Sequence, residues 1–87
     1  MLIGCVREIK EHEYRVGLTP SDVREYTRHG HSVVVERGAG LESGYADEIY
    51  TAAGARVVAH ADTVFAEADM IVKVKEPQPQ EVAKLRP

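Results

Sequence analysis

Cysteine is almost missing from this chain: among 87 residues only Cys5 carries a thiol. That excludes an internal disulfide framework and fits a reducing compartment. Long apolar runs are missing as well. No stretch approaches the ~20 residues needed to span a bilayer, and Arg7 and Glu8 break the N-terminal run before it could serve as a signal-peptide core. A cytoplasmic protein with no membrane partner is expected. Positive charge is not in excess, with 11 Lys and Arg against 14 Asp and Glu and a net charge of −3. No basic patch for nucleic acid is therefore expected. None of the histidines, His12, His29, His31 and His60, has a partner at metal-ligand spacing, so no metal site is expected. Repeats, low-complexity tracts and linkers are absent too. What is present is an ordinary globular composition, 44% hydrophobic and 29% charged, sufficient for one small domain. A domain of this size buries only about 60–65% of its unfolded surface, which leaves a thin stability margin.

The chain alternates strand and helix signals. Leu2, Ile3, Gly4, Cys5 and Val6 form a short continuous apolar run, as suits a strand covered on both faces. Thr19 reads as an N-cap with Pro20 at N1 and Asp22 at N3, opening a helix that runs to about His29 and turns Val23 and Tyr26 inward; Gly30 ends it. Ser32–Glu36 is a β-branched strand. A glycine-rich stretch over residues 37–44 follows, then a short helix over residues 46–53 closed by Gly54, and a brief strand at Arg56–Val58. Asp62 is expected to cap a helix reaching Glu67 that buries Val64 and Phe65. The last strand covers residues 69–75, with Met70, Val72 and Val74 facing one way and Ile71, Lys73 and Lys75 the other. The chain then turns at Glu76 and Pro77, and residues 80–85 could start a further helix. The predicted fold class is α/β: a mostly parallel sheet with flanking helices, a flavodoxin-like or Rossmann-like β-α-β repeat.

Residues 8–20 form a charged loop between the first strand and the first helix, and loops of this kind carry function more often than they merely connect. Its most informative residue is Arg15. In an open parallel sheet ligands bind beyond the carboxyl ends of the strands. The loop with Arg15 follows strand one, and Lys75 ends strand four, so the two cations are expected on one rim. A guanidinium forks onto a carboxylate with two parallel bonds, while a lysine adds a point charge. Composition alone leaves a second reading open, in which Arg15 pairs with Glu8, Glu11 or Glu13 and Lys75 with Glu76 on a solvated surface. Gly38, Gly40 and Gly44 lie between a strand and a helix, but their spacing is one residue too long for a dinucleotide fingerprint, which favours a turn. Cys5 reads as a small buried hydrophobe, and His12 lies in the charged loop within possible reach of a ligand.

Several ordered blocks then point to a family. Gly4, Glu8, the run Glu13-Tyr14-Arg15-Val16-Gly17-Leu18-Thr19-Pro20, Val23 and His29-Gly30-His31 resemble the N-terminal signature shared by alanine dehydrogenases and the alpha subunit of nicotinamide nucleotide transhydrogenase. Glu36, Gly38-Ala39-Gly40, Ala52-Ala53-Gly54-Ala55, Ala68-Asp69 and Val72-Lys73-Val74-Lys75-Glu76-Pro77 continue it, so that the resemblance spans essentially the whole chain. The first run is closer to the alanine dehydrogenases. Two positions depart from the pattern: Val6 stands where the family usually has proline, and Glu11 or His12 where it often has asparagine.

The resemblance implies NAD-dependent, reversible oxidative deamination of L-alanine to pyruvate and ammonia. It gives Arg15 the substrate carboxylate and Lys75 a second substrate contact. It also places the family's catalytic histidine just beyond the segment matched here, and the catalytic aspartate and NAD-binding domain much further on. On this reading the 87 residues are the N-terminal part of a substrate domain, with a truncated sheet. They would bind no NAD themselves and be inactive alone. Unpaired sheet edges would favour a homo-oligomer. Two other readings stand beside it: a transhydrogenase alpha-subunit fragment belonging to a membrane complex, and a free-standing, non-catalytic carboxylate-binding or assembly module.

Overall fold

The computed structural model describes residues 1–7 and 16–72. Among these residues four strands, β1 (Leu2–Cys5), β2 (Ser32–Glu36), β3 (Arg56–Val58) and β4 (Met70–Val72), alternate with helices α1 (Pro20–Arg28), α2 (Asp47–Ala53) and α3 (Ala61–Glu67). A 3-10 turn, Leu41–Ser43, interrupts the connection from β2 to α2. All strand pairs are parallel, in the order β3-β2-β1-β4. At the centre of the register, Gly4 lies between Val34 and Ile71, and Cys5 between Val35 and Val72.

This order follows from where the helices can pack. Chain order builds outward from β1 to β2 to β3, and then returns past both to place β4 on the far side of β1. With a constant crossover hand, a reversal of direction moves the connecting helix to the opposite face. Accordingly, the residues of α1 and α2 pack with Ile3, Cys5, Val33 and Val35 on one face. Val64, Phe65 and Ala68 of the α3 region pack with Val34 and Val6 on the other. The two central strands are therefore apolar on both sides, as their sequences require. Each fully buried aliphatic or aromatic side chain in these layers contributes roughly 1.5–3 kcal/mol.

Local chemistry sets the element ends. Thr19 Oγ1 accepts from the Asp22 amide at 3.2 Å, and Asp22 Oδ2 accepts from the Thr19 amide at 2.9 Å. Two otherwise orphaned amides are thereby satisfied, and α1 starts where the sequence places it. Gly30, at φ +85°, ends it in the left-handed region. One sequence expectation is corrected here. Asp62 does not cap α3: the cap position is His60, without a side-chain bond, and Asp62 lies in the first turn. There it still favours the positive end of the helix dipole. Asp69 stands just before β4 rather than in it. Its Oδ2 accepts from the Leu2 amide at 2.8 Å, while its own amide donates to the Leu2 carbonyl at 2.7 Å. This double link fixes the start of β4 against the start of β1.

Candidate functional site

Parallel strands end on one rim, and here that rim is formed by Cys5, Glu36, Val58 and Val72. Helices change face between β1 and β4, so the crevice of this sheet opens between those two strands. The connection leaving β1 contains Arg15, and Val72 precedes Lys75 by three positions. Arg15 and Lys75, like His12, lie outside the described residues. What the structure describes is the frame around them.

The two ends of that frame are tied to the second β-α unit. On the entry side, the β1–β2 ladder stops at Cys5 and Val35, and the Arg7 amide donates to the Glu36 carboxylate at 2.7 Å. A side chain thus takes the place of the next rung at the exposed end of the ladder. On the exit side, the Tyr50 hydroxyl donates to the Leu18 carbonyl at 2.8 Å. Tyr50 and Leu18 are both buried. Burial first, and then the neighbouring Cys5, Tyr45, Asp22 and Asp47, push the Tyr50 phenol well above its ordinary range. Its ring meets Tyr45 edge-on, with centroids 6.3 Å apart.

Gly40 explains how a tyrosine fits there. A Cβ at position 40 would overlap the Tyr50 hydroxyl and come 2.5 Å from its Cε2. The rest of the glycine-rich stretch closes on itself. Gly38, at φ +78°, donates its amide to Asp47 Oδ1 at 2.8 Å, the Ala39 amide bonds the Glu36 carbonyl at 3.0 Å, and the Tyr45 amide bonds that of Gly40 at 2.9 Å. Its glycines serve a turn and a buried ring. With the Gly38 amide held by a carboxylate and the space above Gly40 filled, this stretch does not fit a dinucleotide pyrophosphate.

A cleft of about 470 Å³ opens beside the exit side of the frame, lined by Gly17, Leu18, Asp22, Tyr26, His31 and Val72 among others. Gly17 and Val72 bring it to the rim. His31 stands edge-on to Tyr26 with centroids 6.1 Å apart, and its buried Nδ1 has no hydrogen-bond partner among the described residues. His29 is exposed and lies 3.6 Å from Glu25. Cys5 is wholly buried in the sheet. Among the described residues no three His, Cys, Asp or Glu side chains are grouped to hold a metal ion, and no helix is long and apolar enough to cross a membrane. Sequence reasoning missed Glu36 and Tyr50 as ties, because each acts on a residue about thirty positions away. A glycine that must lack a side chain beside a helical tyrosine was the one available signal.

Residues 4–87 match the family described as alanine dehydrogenase/PNT, N-terminal domain. The alanine dehydrogenase of Mycolicibacterium smegmatis is 48% identical over 86 residues, covering 99% of this chain and 23% of that protein. A solved L-alanine dehydrogenase superposes with a TM-score of 0.95 at 46% identity, covering 99% of this chain and 24% of that one. A transhydrogenase from Sinorhizobium meliloti superposes with a TM-score of 0.91 at 36% identity, covering 99% and 25%. The chain spans about a quarter of the length of the relatives it matches.

Proposed function

The chain belongs to the alanine dehydrogenase/PNT N-terminal domain family, and from that we propose that it supplies the substrate-carboxylate half of an NAD-dependent L-alanine dehydrogenase. Arg15 forks onto the carboxylate of L-alanine or pyruvate, and Lys75 holds the same carboxylate or the developing carbonyl oxygen. NAD, bound by a separate domain, supplies the hydride chemistry. Residues 1–87 form the N-terminal part of the substrate domain of a cytoplasmic homo-oligomer.

The observation that carries this reading is the position of β4 beside β1. The segments bearing the two cations leave from the two strands that flank the crevice. Relatives named alanine dehydrogenase support the choice of reaction, and 46% identity to the solved dehydrogenase against 36% to the transhydrogenase favours the first branch. The transhydrogenase likeness keeps a second reading in view, the same fold without an alanine site.

Titration of pyruvate into the isotopically labelled chain tests the binding. Amide shifts are expected around Arg15 and Lys75, and Arg15→Gln should weaken binding by about ten- to hundredfold, as the loss of charged hydrogen bonds implies. A folded chain that stays silent at both positions up to saturating pyruvate overturns the proposal. The 87 residues by themselves should not turn over alanine with NAD, and formation of NADH above a heat-killed control would show that they can.

A further inference from the structure

We propose that Glu36 and Tyr50 are positioning residues that hold the two ends of the segment carrying Arg15; the inference rests on the carboxylate-binding reading just given. Among the described residues the segment is flanked by Arg7, two positions after the end of β1, and by residues 16–19, which precede α1. The Arg7 amide donates to the Glu36 carboxylate at 2.7 Å, and the Leu18 carbonyl receives the Tyr50 hydroxyl at 2.8 Å. Both ties reach across the fold, over 29 and 32 residues of sequence. Both come from the β2–α2 unit, so one rigid block grips both ends of the connection between β1 and α1.

The block itself is well fixed. Glu36 ends β2 in register with Val58 of β3, and its carbonyl accepts from Ala39 at 3.0 Å. Tyr50 is fully buried, backed by Tyr45 and accommodated by the bare Cα of Gly40. The Glu36 carboxylate is engaged by the Arg7 amide at 2.7 Å, and the buried Tyr50 hydroxyl by the Leu18 carbonyl at 2.8 Å. What each does is remove freedom from the ends of a segment whose arginine must meet a planar anion in one orientation. Pre-organisation of this kind raises affinity by lowering the ordering cost of binding.

Amide hydrogen exchange and pyruvate titration on the 87-residue chain decide it together, with Tyr50→Phe, Glu36→Ala and Glu36→Gln. Tyr50→Phe should speed exchange at residues 16–19 by about 3- to 10-fold more than at the β1 and β2 amides, the equivalent of one lost hydrogen bond, the strand amides following only the change in global stability. Glu36→Ala should do the same at Arg7, and Glu36→Gln, which keeps an acceptor oxygen, should restore it. Pyruvate affinity should fall about 3- to 10-fold in the two disruptive variants and return in Glu36→Gln. Unchanged exchange at both ends overturns the inference, as does acceleration spread evenly over strands and ends, which would mark a purely structural role. If the unsubstituted chain binds no pyruvate, the carboxylate reading fails, while the exchange rates still decide whether these residues hold the two ends.

Discussion

Gly4→Ala should lower the melting temperature by roughly 8–16 °C, and Gly4→Val should lower it further. Gly4 sits in the middle of β1, between β2 and β4, under α3. A Cβ there would come 2.6 Å from Val64 Cγ1, 2.7 Å from Ala68 Cβ and 3.1 Å from Ile71 Cδ1. The Ala68 methyl cannot rotate out of the way, because its position is set by the backbone. Either α3 lifts from the sheet or β1 bends, and overpacking of this kind costs about 1–3 kcal/mol. In a chain whose whole stability is of the order of 0.05–0.15 kcal/mol per residue, that is a large share. The melting shift follows from about 4–8 °C per kcal/mol for a domain of this size, taking a central cost of about 2 kcal/mol. Valine forces two more methyl groups into the same space.

Gly30→Ala is the comparison. Its φ of +85° strains any side chain, but no atom lies within 4 Å of the added Cβ, so only the backbone cost of about 1–2 kcal/mol applies. Removing the obstructing Val64 Cγ1 methyl with Val64→Ala should cost less in the Gly4→Ala background than in the unsubstituted chain, a coupling that independent sites do not show. Thermal melts followed by circular dichroism would measure all of these. A Gly4→Ala chain melting within about 2 °C of the unsubstituted one would mean that α3 is less tightly seated than its contacts indicate.

Gly4 also illustrates what was legible in the sequence. The elements were legible because their signals are local. Thr19, Pro20 and Asp22 announce α1 within a few residues, and both bonds of the cap are present. Ser32–Glu36 and Arg56–Val58 declare themselves through β-branched residues, and their bounds agree with the sequence reading. Asp62 misled because an acidic residue suits either the cap or the first turn, and only the backbone at His60 and Ala61 distinguishes them. The strand order was out of reach. Sequence gives the succession of strands, whereas the return of β4 to the side of β1 depends on which helix covers which face. The roles of Tyr50, Gly40 and Glu36 escaped for the same reason, since each matters through a partner distant in sequence. The frame of the candidate site is thus made of long-range ties, while its expected cations, Arg15 and Lys75, were visible as residue types in a motif.

Tyr50→Phe should remove part of the chain's loss of stability at alkaline pH. Tyr50 is an acid whose native pKa is raised by burial. Below its unfolded pKa of about 10, the phenol is neutral in both states and its contribution is fully present. Above about 10, the unfolded chain releases the proton while the native chain retains it, so unfolding gains free energy. Stability should then fall by up to ~1.4 kcal/mol per pH unit from this one group, until the native phenol also ionises. Phenylalanine has no such proton. At pH 8 the variant should be the less stable by about 1–3 kcal/mol, because the Leu18 carbonyl is left buried without its donor. As the pH rises toward about 11.5 that gap should close by roughly 2 kcal/mol. Lysine titration acts on both chains and cancels in the difference. Urea unfolding at a series of pH values gives the comparison directly. A gap that stays constant to about pH 11.5 would mean that the native phenol ionises as readily as the unfolded one, and hence that water reaches it. A closing gap would establish that the native hydroxyl keeps its proton above pH 10, as a buried donor to the Leu18 carbonyl should.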